Sequence, residues 1–289
     1  MERITPQEYL QSARQEDQEH IQNMTPLEDV FMRCLFRDNL PLAQTVLRIL
    51  TGIGDLTLIR EETQKDLHLL GGARSLVFDV YGEDSCGRKY DLEVQKESRG
   101  AVPERARYHS AVMDVENLSP GEDFTQLPET YVILITEKDL FQEGRSRYPI
   151  ERMDAVTARP FCDREHILYI NGQYVGEDAI GMLMHDFRCS NPDEMHLDQM
   201  AERTAYLKND KEGVKEMSKT LEDMRNEALQ VGLEWGREQG LEQGLEQGLE
   251  QGQIRSIQKL MNSMKWSPEE AMNALQVPEE QRRKYLDSL

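Results

Sequence analysis

The sequence predicts an α/β domain whose mixed β-sheet is flanked by helices and followed by a helical C-terminal tail. Three stretches carry that expectation. Residues 76–95, LVFDVYGEDSCGRKYDLEVQ, alternate apolar and polar side chains on either side of a GEDSCG turn, the pattern of a β-hairpin. Residues 131–136, YVILIT, form an unbroken apolar run of strand length, as expected of a strand covered on both faces. From about Lys211 the chain reads as a long polar helix.

Composition bounds the possibilities. A chain of 289 residues with 38% hydrophobic content suffices for one well-cored domain and an appendage. No apolar run approaches the length that spans a bilayer, and the polar start MERITPQEYLQSARQEDQEH lacks the apolar stretch of a signal peptide, so a cytoplasmic protein without a membrane partner is expected. Cys34, Cys86, Cys162 and Cys189 are scattered without a C-x-x-C pair, which suggests reduced, buried thiols. A net charge of −20 argues against a protein that coats nucleic acid nonspecifically. Locally, however, Arg99, Arg105 and Arg107 against Glu104 give 3 − 1 = +2 just beyond the hairpin.

Taken in order, residues 1–24 form a polar tail or helix, and Met24-Thr25-Pro26 starts a helix carrying Leu27, Val30, Phe31, Cys34 and Leu35. Glu28 and Asp29 fall in its first turn, where acids complement the helix dipole. A second helix carries Leu42, Val46, Leu47, Ile49 and Leu50 up to Gly52. Residues 57–61 and 65–70 suggest an edge strand and a loop leading into the hairpin.

In the hairpin, alternation sets Leu76, Phe78 and Val80 against Val77, Asp79 and Tyr81, and Tyr90, Leu92 and Val94 against Asp91, Glu93 and Gln95. Val102-Pro103 opens a helix to about Leu118 that turns Ala111, Val112 and Val115 to the sheet and leaves Arg105 and Arg107 free; His109 on it reads as structural. Strand, helix, strand from Tyr90 to Tyr131 implies a right-handed crossover between parallel strands.

Residues 166–170 read as a further strand, with a tight turn at Asn171-Gly172-Gln173 and a hairpin arm ending at Tyr174-Val175. Helices follow from Asp178 and near Pro192; His185 and His196, too far apart for an i, i+4 pair, read as structural or surface residues. Within residues 236–252 the repeat GREQ-GLEQ-GLEQ-GLEQ has a period of four, which exceeds the helical 3.6, so its leucines wind around a helix without forming a heptad seam. With glycine costing about 1 kcal/mol each in a helix, a flexible or partly helical spacer is expected there. Beyond it lie two short amphipathic helices and a further turn or two, with net charge 6 − 5 = +1 and no basic recognition face.

Adjoining strands let Asp79 and Glu93 converge with the Gln95 amide beside them, a hard-oxygen site suited to a divalent metal, although acids alternating with apolar residues also mark any half-solvated hairpin. Asp79, then Glu93-Val94-Gln95 after a glycine-containing turn, then Arg105-Ala-Arg107-Tyr108, resembles the PD-(D/E)XK nuclease family transposases, the Rpn-type recombination-promoting nucleases. PLEDVFMRCLF, GEDFTQLPETYVILITEKDLF and GMLMHDFRCSNPDEM extend the resemblance over roughly residues 20–210. Gln95 stands where the wider nuclease class has lysine, a variant also seen in the resembled family, and it can neither carry charge nor accept a proton as an amine does.

The resemblance implies a PD-(D/E)XK restriction-endonuclease-like core over residues 25–210, and the repeat and helical patterns beyond it suggest a helical or low-complexity spacer over 211–252 and a small helical element over 253–289. It further implies a metal-dependent DNA endonuclease linked to recombination or mobile elements, with Mg²⁺ or Mn²⁺ on Asp79 and Glu93. Gln95 then orients water, and Arg105 or Arg107 supplies positive charge. DNA, a divalent metal and a second copy of the chain, bound through the C-terminal helices, are the expected partners. The alternative expectation is a catalytically decayed nuclease fold that serves as a DNA- or protein-binding module.

Overall fold

The computed structural model describes residues 18–67, 76–96, 98–286 and 289. Among these, strands β1 (Leu58–Leu67), β2 (Leu76–Asp84), β3 (Lys89–Gln95), β4 (Thr130–Thr136), β5 (Arg147–Ile150) and β6 (Glu165–Asn171) make one sheet in the order β1-β2-β3-β4-β6-β5. β1, β2 and β3 pair antiparallel in succession, β3-β4 and β4-β6 pair parallel, and β5 closes the far edge antiparallel to β6. The sheet is therefore mixed, as expected. Helix α3 (Pro103–Asn117) lies in the connection between the parallel β3 and β4.

Each face of the sheet has its own core. On one side Val80, Tyr90, Leu92, Ile133, Ile135, Leu168 and Ile170 pack with α1 (Asp29–Phe36), α2 (Leu40–Thr51), α4 (Ala179–Arg188), α5 (Asp198–Asn209) and the first turns of α6 (Lys211–Met264). On the other, Phe78, Tyr81, Val132, Leu134, Tyr148 and Tyr169 pack with Ala106, Val112 and Met113 of α3. The helix that carries the arginines thus lies directly over the β3 residues whose parity opposes the main core.

Several local expectations are corrected. The helix expected to start at Met24-Thr25-Pro26 begins at Asp29, with Glu28 at its N-cap and the Glu28 carboxylate accepting from the Thr25 N–H, because Pro26 and Leu27 form a turn first. Residues 58–67 are one continuous strand where a short strand and a loop were expected; residues 68–70 lie outside the described chain. No hairpin follows Asn171: the Gly172 N–H bonds back to the Thr136 carbonyl, and the antiparallel partner of β6 is the upstream β5. Ala111 and Val115 of α3 are exposed, and the buried face is Ala106, His109, Ser110, Val112 and Met113. Of the cysteines only Cys34 is buried.

By internal contacts the chain divides into a unit ending at Glu222 and a unit over Asp223–Leu289. Met217 and Leu221 belong to the core of the first, so that unit runs past residue 210. In the second, the repeat is helical throughout, not a loose spacer, since Leu, Glu and Gln are good helix formers that offset much of the glycine cost. The small helices α7 (Pro268–Ala274) and α8 (Glu279–Leu286) gather Ala271, Met272, Val277 and Tyr285 around Ile257. No helix of the described residues is long and apolar enough to cross a membrane.

Candidate active site

The hairpin turn is secured before the site begins. At the end of β2 the buried Asp84 accepts from Arg88 Nε at 2.6 Å, the Tyr90 hydroxyl at 2.9 Å and the N–H groups of Cys86 and Arg88 at 2.9 Å each, while Gly87 takes φ +81°. From Glu83↔Lys89 to Val80↔Leu92 the β2-β3 ladder is regular. At Asp79 side chains replace it. The Asp79 N–H donates to Glu93 Oε1 at 3.0 Å, and Asp79 Oδ2 accepts from the Val94 N–H at 3.1 Å. Each carboxylate thereby satisfies the other strand's main chain, and the two acids interlock across β2 and β3.

This interlock breaks the alternation expected for β2. Phe78 packs with Tyr81, ring centroids 5.7 Å apart, where parity had grouped it with Val80. Opposite, Gln64 of β1 takes φ +58° and its amide reaches Asp79 Oδ1 at 3.4 Å.

Around Glu93, which is fully buried, Arg105 Nη2 donates to Oε2 at 2.9 Å and Gln95 Nε2 to the same oxygen at 3.3 Å. The short 3₁₀ turn Ser98–Ala101 brings Gly100 so close that a Cβ there would collide with Gln95 Oε1; the glycine leaves room for that amide. The structure therefore brings together Asp79, Glu93, Gln95 and Arg105. Arg107 is exposed and, two residues along the helix, projects away from the side on which Arg105 meets Glu93. The Arg99 side chain lies outside those described. Lys96 points to the other side of β3, 3.9 Å from Glu28.

Two participants escaped the sequence reading of the site. Asp91 and His109 are both fully buried, and His109 Nδ1 lies 2.7 Å from Asp91 Oδ2 and 3.9 Å from Glu93 Oε1. One ligand atom from each of Asp91, Glu93 and His109 falls within 4.8 Å of the others. Asp91 Oδ1, His109 Nε2 and Arg105 Nε are buried without a hydrogen-bond partner. Asp91 shares the parity of Glu93 and was legible on that ground; a lone helical histidine carries no such signal.

Electrostatically the cluster is short of positive charge. Burial, then the neighbouring Glu93, pushes the Asp79 pKa up; burial, then Asp91, raises Glu93; burial, then Asp79, raises Asp91. Burial also lowers the pKa of His109, favouring the neutral ring, so among the described residues Arg105 is the one fixed cation touching the group. An orphaned carboxylate oxygen among acids that repel one another fits a divalent cation with oxygen ligands.

A mixed six-strand sheet flanked by helices is the fold expected of a PD-(D/E)XK domain. The chain belongs to the PD-(D/E)XK nuclease family transposases, whose family model matches residues 42–231. No curated protein and no solved structure matches it significantly.

Proposed function

We propose that the chain is a divalent-metal-dependent DNA endonuclease, hydrolysing phosphodiester bonds in association with recombination or mobile elements. The supporting observation is charge: burial and mutual repulsion raise the pKa values of Asp79, Asp91 and Glu93 beside Arg105, and full ionisation of the three would leave 3 − 1 = 2 uncompensated negative charges, the amount a single Mg²⁺ or Mn²⁺ cancels. Asp79 and Glu93 are the residues to hold such an ion, which when bound supplies Lewis-acid polarisation of a phosphoryl oxygen and a water of lowered pKa. Gln95, seated against Gly100, orients a water through its amide and adds no charge. Arg105, which donates to Glu93 Oε2, would be free to pair with phosphate if that carboxylate held a metal. Arg107, exposed on the same helix, is suited to a DNA phosphate outside the cluster.

DNA cleavage by the purified protein should require Mg²⁺ or Mn²⁺ and disappear in Glu93→Ala. Equal cutting by wild-type and variant preparations would assign the activity to a contaminant. The second reading, a decayed nuclease that serves as a binding module, is favoured by Arg105 already filling Glu93 Oε2 and by glutamine in lysine's place. Calorimetry separates them, because a module need bind no metal at millimolar concentration, whereas the endonuclease must, and must lose that binding in Asp79→Ala and Glu93→Ala. For the repeat helix, whose Leu241, Leu245 and Leu249 are exposed, we propose self-association with a second copy, read as oligomeric mass in light scattering.

A further inference from the structure

We infer that the chain carries a second cation site, for a transition metal of the zinc class, built from His185, Asp186 and His196 where α4 leads into α5. It is separate from the carboxylate cluster and independent of the proposed nuclease activity. His185 lies in the last turn of α4, and His196 ends the connection, one residue before the N-cap Leu197 of α5. Their separation in sequence rules out a pair on one helix, yet folding puts the two ring centroids 4.6 Å apart at 54°. One ligand atom from each of the three residues lies within 4.8 Å of the others.

What holds them is Asp186. Fully buried, it accepts from the backbone N–H groups of His196 and Leu197, each at 2.8 Å, and so ties the connection to the helix end. His185 Nδ1 lies 3.1 Å from Asp186 Oδ1, a separation compatible with both atoms holding one ion. The histidines are therefore set side by side by main-chain bonds, with no ordering left for a metal to impose on the backbone.

Access is open. The His185 side chain is 44% exposed and lines a groove of about 370 Å³ with Arg188, Cys189, Asn191 and Glu194, and His196 is exposed. Arg188 turns its guanidinium to the Tyr174 carbonyl at 3.4 Å.

The donor set selects the ion. Two imidazole nitrogens and one carboxylate oxygen suit Zn²⁺, Co²⁺ or Ni²⁺, whereas Mg²⁺ prefers oxygen alone. Bonds of about 2.1 Å in a tetrahedral site place ligand atoms about 3.4 Å apart, which side-chain rotation can reach from the observed spacing. Water or a group from the groove completes the sphere. A metal here would fasten α4 to α5, the helix whose Arg203 holds the Cys34 carbonyl and Glu216.

Equilibrium dialysis of the full chain against micromolar Zn²⁺ tests this. Wild type should bind one equivalent more than His185→Gln or His196→Gln, and Glu93→Ala one equivalent more than the same histidine variants made in the Glu93→Ala background; equal stoichiometry within each background would overturn the site. Diethylpyrocarbonate labelling of the wild-type chain needs no variant. Zn²⁺, but not Mg²⁺, should protect His185 and His196 while leaving His20 and His166 reactive, and unchanged labelling of the first two at saturating Zn²⁺ would equally overturn it.

Discussion

Gln95 is placed by its neighbour as much as by its strand. The Gln95 amide occupies the space that a Cβ on residue 100 would take, so Gly100→Ala should displace it while leaving both cores untouched. If Gln95 orients the attacking water, a shift of about 1 Å lowers cleavage roughly 100-fold, and the thermal midpoint moves little. Single-turnover cleavage alongside circular dichroism checks both halves of that expectation. Gln95→Lys restores the side chain of the wider class, and retained or raised cleavage is expected if the Glu93 and Arg105 geometry accepts an ammonium. Asp79, Glu93, Gln95 and Arg105 were legible because strand parity and a helix start just after β3 are local properties. His109 was not, since its partner Asp91 is supplied by tertiary packing of α3 on β3, and the same holds for His185 beside His196.

The β2-β3 hairpin carries the site, and its turn rests on one carboxylate. Burial alone would raise the pKa of Asp84, but the bonds from Arg88 and Tyr90 outweigh it and hold the group below the usual carboxylate range. Its stabilising contribution is therefore complete above the unfolded pKa and is lost as pH falls through the lower folded one. Asp84→Ala leaves the Arg88 guanidinium and the Tyr90 hydroxyl without their acceptor, and should cost about 3 kcal/mol in urea unfolding. Periodicity revealed the hairpin arms, β4 and α2, because each has one or two faces buried by apolar side chains, whereas α3 was legible from its Val102-Pro103 start. It did not reveal β5, a four-residue edge strand, RYPI, that contains a proline and buries only Tyr148. Nor did it show the switch of parity between Phe78 and Val80, which arises because the Asp79 and Glu93 carboxylates take over the ladder's hydrogen bonds.

At the scale of the molecule, the acidic cluster ties stability to pH and, on the proposed function, to metal. Asp79, Asp91 and Glu93 have raised pKa values, so the folded state holds more protons than the unfolded one, and stability falls as pH rises from about 4 through neutrality. His109, with its lowered pKa, acts oppositely but is one group against three. Mg²⁺ should therefore raise the thermal midpoint more at about pH 8 than at about pH 5, and Glu93→Ala should flatten the difference.

The C-terminal boundary makes a second demand at this scale. Glu216 pairs with Arg203 at 3.0 Å and Arg37 at 3.5 Å, Cys34 Sγ meets the Thr220 hydroxyl at 3.2 Å, and Met217 and Leu221 are buried in the main core. A chain cut after Lys211 loses all of these and leaves Cys34 and its apolar neighbours open to water, so it should unfold at markedly lower urea concentration than the whole protein. A chain cut after Glu222 keeps them, and should retain its unfolding midpoint and its metal binding while its mass in light scattering drops if the repeat helix joins two copies. Any cleavage lost with that tail should return at high protein concentration, since only avidity has been removed. Equal stability of the two truncations would show that the first turns of α6 add nothing to the core they enter.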